Sequence, residues 1–202
     1  MLKRIVIFLA AAMFFVTAAV EVAAQDVVMN SAETINQGNF KLAIFPTVLF
    51  GKNGGDSLTG VAGRFGYGFT SRFDVEAVAA TFKGLSYFGV AAEYWLIQGR
   101  NANVSVALGG HLTNRGGGAD SSGIDTTLLF STSPVDRLEL YGGLKFAFDK
   151  FKNSDNSYTM AHIVPGIEYR LSADLDFLAE VGIALNDNSR SYASVGFAFY
   201  IR

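Results

Sequence analysis

Two histidines, no cysteine and a scatter of carboxylates with a few lysines and arginines are what the 202 residues offer for chemistry. His111 and His162 are the available neutral bases. Thr113 follows His111 by two positions, so on an extended chain the two side chains share a face, and Asp125 opens the next segment. A hydroxyl beside an imidazole that a carboxylate orients is what an acyl-hydrolase needs. A stretch rich in Thr, Asn, Ser and Asp supplies such neighbours by composition alone, so no catalytic residue is assigned. A metal site built from His111, His162 and Asp120 would require loops to converge, and no ligand spacing marks one. No metal and no cofactor are therefore expected. The run Gly116-Gly117-Gly118 lacks the Lys and Ser/Thr that complete a phosphate loop and reads as an exposed loop. Without cysteine there is neither a disulfide nor a thiolate ligand.

The elements that must position these groups begin with a processing signal. Lys3 and Arg4 precede an apolar stretch from Ile5 to Val20, and Val22-Ala23-Ala24 supply the small residues a signal peptidase reads. Residues 1–24 are expected to be removed before Gln25. The alternative, a membrane anchor, is disfavoured because the apolar core is shorter than the ~20 residues of a helical span and Glu21 ends it. Loss of Lys3, Arg4 and Glu21 leaves 14 basic against 17 acidic residues, and a net charge of −3 gives no reason to expect nucleic acid as a partner.

Residues 25–39 show no sustained period and are expected to form a mobile periplasmic lead-in. From Phe40 onward the chain alternates with period two, interrupted by clusters of Gly, Asn, Asp, Ser and Pro. In 137–148, Leu138, Leu140, Leu144, Phe146 and Phe148 fall on one face and Arg137, Glu139, Tyr141, Lys145 and Ala147 on the other, a separation that a helix would smear. The same test gives ten strands, at 40–50, 57–69, 73–82, 85–97, 102–112, 123–131, 137–148, 158–171, 174–184 and 191–202. Most match the ~9–11 residues of a tilted membrane strand rather than the ~5–6 usual in soluble proteins. Short connections alternate with longer polar ones, and only Lys83-Gly84 breaks the rule. The expectation is an all-β, antiparallel up-and-down transmembrane barrel over 40–202, with ten strands and eight as the alternative.

In a water-soluble barrel of lipocalin type the apolar face would line a cavity; in a membrane barrel the same alternation is inverted. Two features favour the membrane. The polar face is rich in small residues such as Ala62, Gly66, Ser105, Ala107 and Gly143, which suit a narrow lumen, and aromatics such as Phe65, Tyr67, Phe69, Tyr94, Phe146 and Phe148 gather near segment ends. The inward set then contains Arg64, Asp74, Glu76, Glu93, Arg137, Glu139, Lys145, Glu168, Arg170, Asp176 and Glu180. These charges are expected either to pair with one another and fill the barrel or to form a constriction whose carboxylate excess favours cations.

The cleavable signal, the alternating segments, the turns that open with Asp or Arg and the terminal strand 191–202 together resemble the small outer-membrane β-barrel proteins, the group of the outer-membrane protein A and X barrels. The resemblance implies a bacterial outer-membrane location, outer-membrane lipid as the surrounding medium and the barrel assembly machinery as a partner. Phe197, Phe199 and Tyr200 match the family's terminal assembly signal, and Arg202 departs from it, standing where the family usually has Phe or Trp. The functional expectation is a non-enzymatic outer-membrane protein with a structural role or one exercised through loops 113–122 and 149–157, whose extracellular partner the residues do not name. A narrow passive pore is the second reading and a rim-sited lipid-modifying enzyme the third. Intact-mass measurement of the exported protein is expected to give a chain beginning at Gln25; a mass that retains residues 1–24 would identify an anchor instead.

Overall fold

A computed structural model describes residues 28–52, 55–99, 102–116, 120–152 and 156–202. The expected signal peptide and its cleavage point lie outside these residues. The architecture is a closed, all-antiparallel barrel of ten strands: β1 (Phe40–Leu49), β2 (Leu58–Thr70), β3 (Phe73–Phe82), β4 (Leu85–Gln98), β5 (Asn103–Arg115), β6 (Ser121–Val135), β7 (Leu138–Phe151), β8 (Ser157–Ser172), β9 (Leu175–Ala184) and β10 (Tyr192–Ile201). Each strand pairs with its sequence neighbours, and β10 closes on β1 from Phe40↔Ile201 to Leu49↔Tyr192. The alternation expected from the sequence thus becomes ten strands, not eight. At the long-loop end β5, β6 and β7 run two or three residues further than the periodicity indicates, and at the short-turn end β6 runs four further, to Val135.

An even strand number puts both ends of the barrel domain at the end where the short turns lie. Each of the four short turns sits beside a register shift, between Gly68 and Thr70, Trp95 and Ile97, Thr132 and Val135, and Arg170 and Ser172. Bulges of this kind tighten the local twist and let a strand turn back within two to four residues. The other end carries the longer connections. Pro46 and Pro165 have no N–H to give a ladder, and both stand where the β1–β10 and β8–β9 registers skip.

The polarity of the two faces is that of a membrane barrel. Large apolar side chains are exposed on every strand but β3, among them Leu42, Phe65, Phe88, Leu108, Ile124, Phe148, Ile163, Val181 and Phe199. Buried positions of the barrel strands hold Lys41, Asp74, Glu76, Glu93, Lys145 and Glu180. At the short-turn end Phe40, Phe65, Tyr67, Phe69 and Phe73 form a continuous run of ring contacts, with centroids 4.7 to 6.0 Å apart. Such a girdle places amphipathic rings at a lipid interface.

The lumen is a packed interior. Toward the long-loop end, Phe45, Leu49, Leu58, Phe82, Leu85 and Tyr192 join one apolar cluster. Two strand glycines leave room for tyrosines that cross it: a Cβ on Gly182 would lie 1.8 Å from Tyr192 Cε1, and one on Gly166 would lie 2.2 Å from Tyr141 Cζ. Gly182→Ala is therefore expected to cost about 1–3 kcal/mol by overpacking, read as a lower urea midpoint for the detergent-folded barrel. Gly63→Ala, where an added Cβ meets nothing nearer than a carbonyl oxygen at 3.6 Å, should leave the midpoint almost unchanged.

Candidate functional site

The site is the lumen, and it contains a segment the sequence did not place there. Residues 28–35, expected as part of a mobile lead-in, run inside the barrel: Val28, Met29, Asn30, Ser31, Ala32, Thr34 and Ile35 are all buried. The segment enters from the short-turn end, where Gln37 bridges Gly68 and Gly38 N–H donates to the Gly68 carbonyl at 2.8 Å. Glycine at 66 and 68 lets it pass. A Cβ on Gly66 would meet Ile35 Cδ1 at 2.4 Å, and one on Gly68 would meet the carbonyl oxygens of Ile35 and Asn36 at the same distance.

Carboxylates of the barrel wall hold the segment through its own amides. Glu180 on β9 accepts from the backbone N–H of Val28 at 2.9 Å and of Met29 at 2.6 Å, and also from the hydroxyls of Tyr141 at 2.9 Å and Tyr192 at 2.7 Å. Asp74 on β3 accepts from the Ile35 N–H at 2.7 Å. Glu93 on β4 accepts from the Asn30 side-chain amide at 2.6 Å and from Ser105 Oγ at 2.5 Å. Charge-assisted bonds like these are the strong class, and they occur here in a water-poor interior.

Below them lies a conventional ion cluster. Lys41 Nζ contacts Glu76 at 3.1 Å and the Asn30 side-chain oxygen Oδ1 at 2.7 Å, and Arg64 reaches the other oxygen of Glu76 at 3.3 Å. Lys41 was not among the expected lumen charges. The signal was present, since Lys41, Ala43, Phe45, Thr47 and Leu49 share one alternation face, but Phe45 and Leu49 make that face look apolar. Between the segment and the wall a cavity of about 40 Å³ remains, bordered by Val28, Asn30, Arg64, Glu93 and Lys145. That is room for a few waters.

Near the long-loop end a second cluster surrounds His111. Its Nδ1 lies 2.7 Å from Asp125 Oδ2 and its Nε2 lies 3.0 Å from Asp149 Oδ1. Ser121 donates to the same Asp149 oxygen at 2.9 Å, and Arg115 reaches the Tyr158 hydroxyl. Thr113 is buried nearby, with no hydrogen-bond partner at its Oγ1. His162 is engaged elsewhere, its Nε2 lying 3.0 Å from the Arg190 carbonyl oxygen, so the two histidines do not converge. No metal-holding group of His, Asp and Glu occurs among the described residues.

Of the expected lumen charges, Arg64, Asp74, Glu76, Glu93, Glu139, Lys145, Asp176 and Glu180 are buried inside, and Glu168 is half-buried. Arg137 is not in the lumen. It sits exposed in the turn between β6 and β7 with φ 67°, because the register shift before it takes it out of the alternation. Arg170 lies at the short-turn rim, 59% exposed, 3.9 Å from Asp176. Of the terminal-strand aromatics, Phe197 and Phe199 face outward, while Tyr200 packs against the buried core.

No family model and no curated protein matches the sequence. Solved structures do match the fold. An outer membrane channel from Pseudomonas putida F1 superposes with a TM-score of 0.58 at 10% identity, covering 87% of this chain and 100% of that one. The chain has the fold of an outer-membrane β-barrel. OprG from Pseudomonas aeruginosa aligns with a TM-score of 0.41 at 16% identity over 86% of this chain and 100% of its own. The N-terminal barrel domain of OprF from the same organism gives 0.41 and 15% over 83% and 100%.

Because four donors converge on Glu180, Glu180→Ala is expected to remove the acceptor used by the Met29 N–H and by the Tyr141 and Tyr192 hydroxyls, to leave the Val28 N–H with its 3.2 Å bond to the Tyr192 hydroxyl, and to destabilise this outer-membrane-type barrel by roughly 3–5 kcal/mol. Glu180→Gln, which keeps one acceptor oxygen, should cost about 1–2 kcal/mol. Urea unfolding in lipid vesicles, followed by tryptophan fluorescence and electrophoretic mobility, reads both; equal losses for the two variants would count against the hub role.

Proposed function

We propose that the protein is a bacterial outer-membrane barrel that is closed to solutes and whose role is structural or carried by its loops. The observation that carries this reading is the occupied lumen: residues 28–35 fill the short-turn half, and an apolar cluster around Phe45, Leu49, Phe82 and Tyr192 fills much of the other. A barrel of ten strands has a lumen narrow enough for side chains nearly to fill it, and here a chain segment is added. The exposed apolar belt supports residence in lipid, and the short-turn end would face the periplasm. Tyr200, Phe199 and Phe197 on β10 are the residues that would engage the assembly machinery.

Catalysis at the rim finds no support in the geometry. A general base needs a free imidazole nitrogen beside the nucleophile, and both nitrogens of His111 are taken by Asp125 and Asp149. Interaction through the long-loop end is favoured instead. There the connection between β9 and β10 arches over β8, with Asn186 and Asn188 amides donating to the Thr159 carbonyl and Lys52 Nζ donating to the Asp187 carbonyl at 2.6 Å. The loops are tied together there, and with Phe50, Ser189 and Arg190 they border a recess of about 410 Å³.

Planar-bilayer recording of the purified mature barrel is expected to show no regular stepwise conductance in 1 M KCl at about 100 mV. Regular unitary steps in the wild-type protein would replace the closed-barrel reading with that of a constitutive pore.

A further inference from the structure

We propose that residues 28–35 are a displaceable plug whose amides take the place of cations, and that its withdrawal turns the barrel into a cation-selective pore. The inference rests on the closed-barrel reading of the intact protein and adds what lies beneath the plug.

The charge balance of the wall is the first argument. Seven buried carboxylates face only three buried strand-borne cations, Lys41, Arg64 and Lys145. Lys41 and Arg64 both contact one acid, Glu76. Three of the other six are served by the segment: Glu180 through two backbone N–H groups, Asp74 through one, and Glu93 through the Asn30 amide. Backbone N–H groups and a neutral amide have thus been set where a wall of fixed negative charge would otherwise draw cations from solution. Rings of carboxylates in a narrow pore select cations by that same attraction.

The manner of attachment is the second argument. Every barrel strand is held on both sides by ladders of backbone hydrogen bonds, whereas residues 28–35 join no ladder. The nearest backbone pairing is the single bridge at Gln37 and Gly68, outside the buried stretch. The plug is held by side chains of the wall, and three of its own eight side chains, Ser31, Ala32 and Thr34, are small. On its short-turn side lies an open recess of about 360 Å³ bordered by Ser31, Glu33, Thr34 and Arg170. A segment so held has a route out that breaks no strand pairing.

The test compares three full-length or near-full-length barrels in planar bilayers under a KCl gradient. They are the wild type, a variant lacking residues 28–35 but keeping the Gln37 and Gly38 contacts, and M29D/N30D, which sets new carboxylates against Glu180 and Glu93. Both variants are expected to show stepwise conductance at least tenfold above the wild-type background, with a reversal potential displaced to the cation side. Glu93→Gln in the deletion background should reduce that displacement, and a synthetic peptide of residues 28–38 added at the short-turn side should restore closure. In parallel, Ala32→Cys, in a chain with no other cysteine, should react slowly with a maleimide in the folded barrel and quickly when M29D/N30D is added. Variants that keep the heat-dependent mobility of a folded barrel yet remain silent, or that prefer anions, would overturn the proposal. So would failure of both variants to fold, since the segment would then be part of the core and not a plug. A conducting wild type would instead overturn the closed-barrel reading, leaving the selectivity of the deleted barrel as a separate result.

Discussion

Hydrocarbon offers no partner to a peptide group, and each unsatisfied N–H or C=O in it costs several kcal/mol. Closure of β1 on β10 is therefore the constraint from which the rest follows. It removes both sheet edges, forces one face of every strand into lipid and the other into a narrow interior, and allows prolines only where a ladder bond can be spared, as at Pro46 and Pro165. It also explains the tyrosine and glycine pairs. A narrow lumen can accept Tyr141 and Tyr192 only by giving up the Cβ of the residue each one crosses, Gly166 and Gly182.

Closure creates a second problem that the strands do not solve alone. The inward face is polar, as the membrane requires of it, but its carboxylates outnumber its cations. A buried, unpaired carboxylate is costly, and water enough to solvate all of them does not fit in the remaining space. The N-terminal segment supplies the missing donors. Glu180 joins the two levels of the structure: its neighbours Tyr141 and Tyr192 belong to the barrel wall, and Val28 and Met29 belong to the plug. The same residue thus fixes wall geometry and holds the segment that fills it.

The two ends of the barrel divide the remaining work. The short-turn end carries all four bulged turns, an aromatic girdle and most of the ion network, which makes it the structurally specified end. At the other end the loop after β9 stands in for the missing outer part of that strand: the Leu185 N–H donates to the Ala161 carbonyl and the Ala161 N–H donates to Ser189 Oγ. His111, held between Asp125 and Asp149, fastens β5, β6 and β7 just beneath the loops. Its two carboxylate partners make it a structural cross-link, whereas its spacing to Thr113 in the sequence had suggested a base beside a hydroxyl.

The sequence by itself determined the ten strands, their faces and most of the inward charges, because a two-residue period is a local property: each side chain's side of the sheet follows from counting from its neighbour. It erred where the count is interrupted. The bulge before Arg137 carries that residue out of the lumen, and apolar Phe45 and Leu49 on an inward face hid Lys41. Only the tertiary structure decided where residues 28–35 go. Their amides have no period and no partner nearby in sequence; Val28 finds Glu180 from 152 positions away. Such a contact exists only once the barrel has closed around it, because closure alone gathers an excess of negative charge into a space too narrow for water to neutralise it.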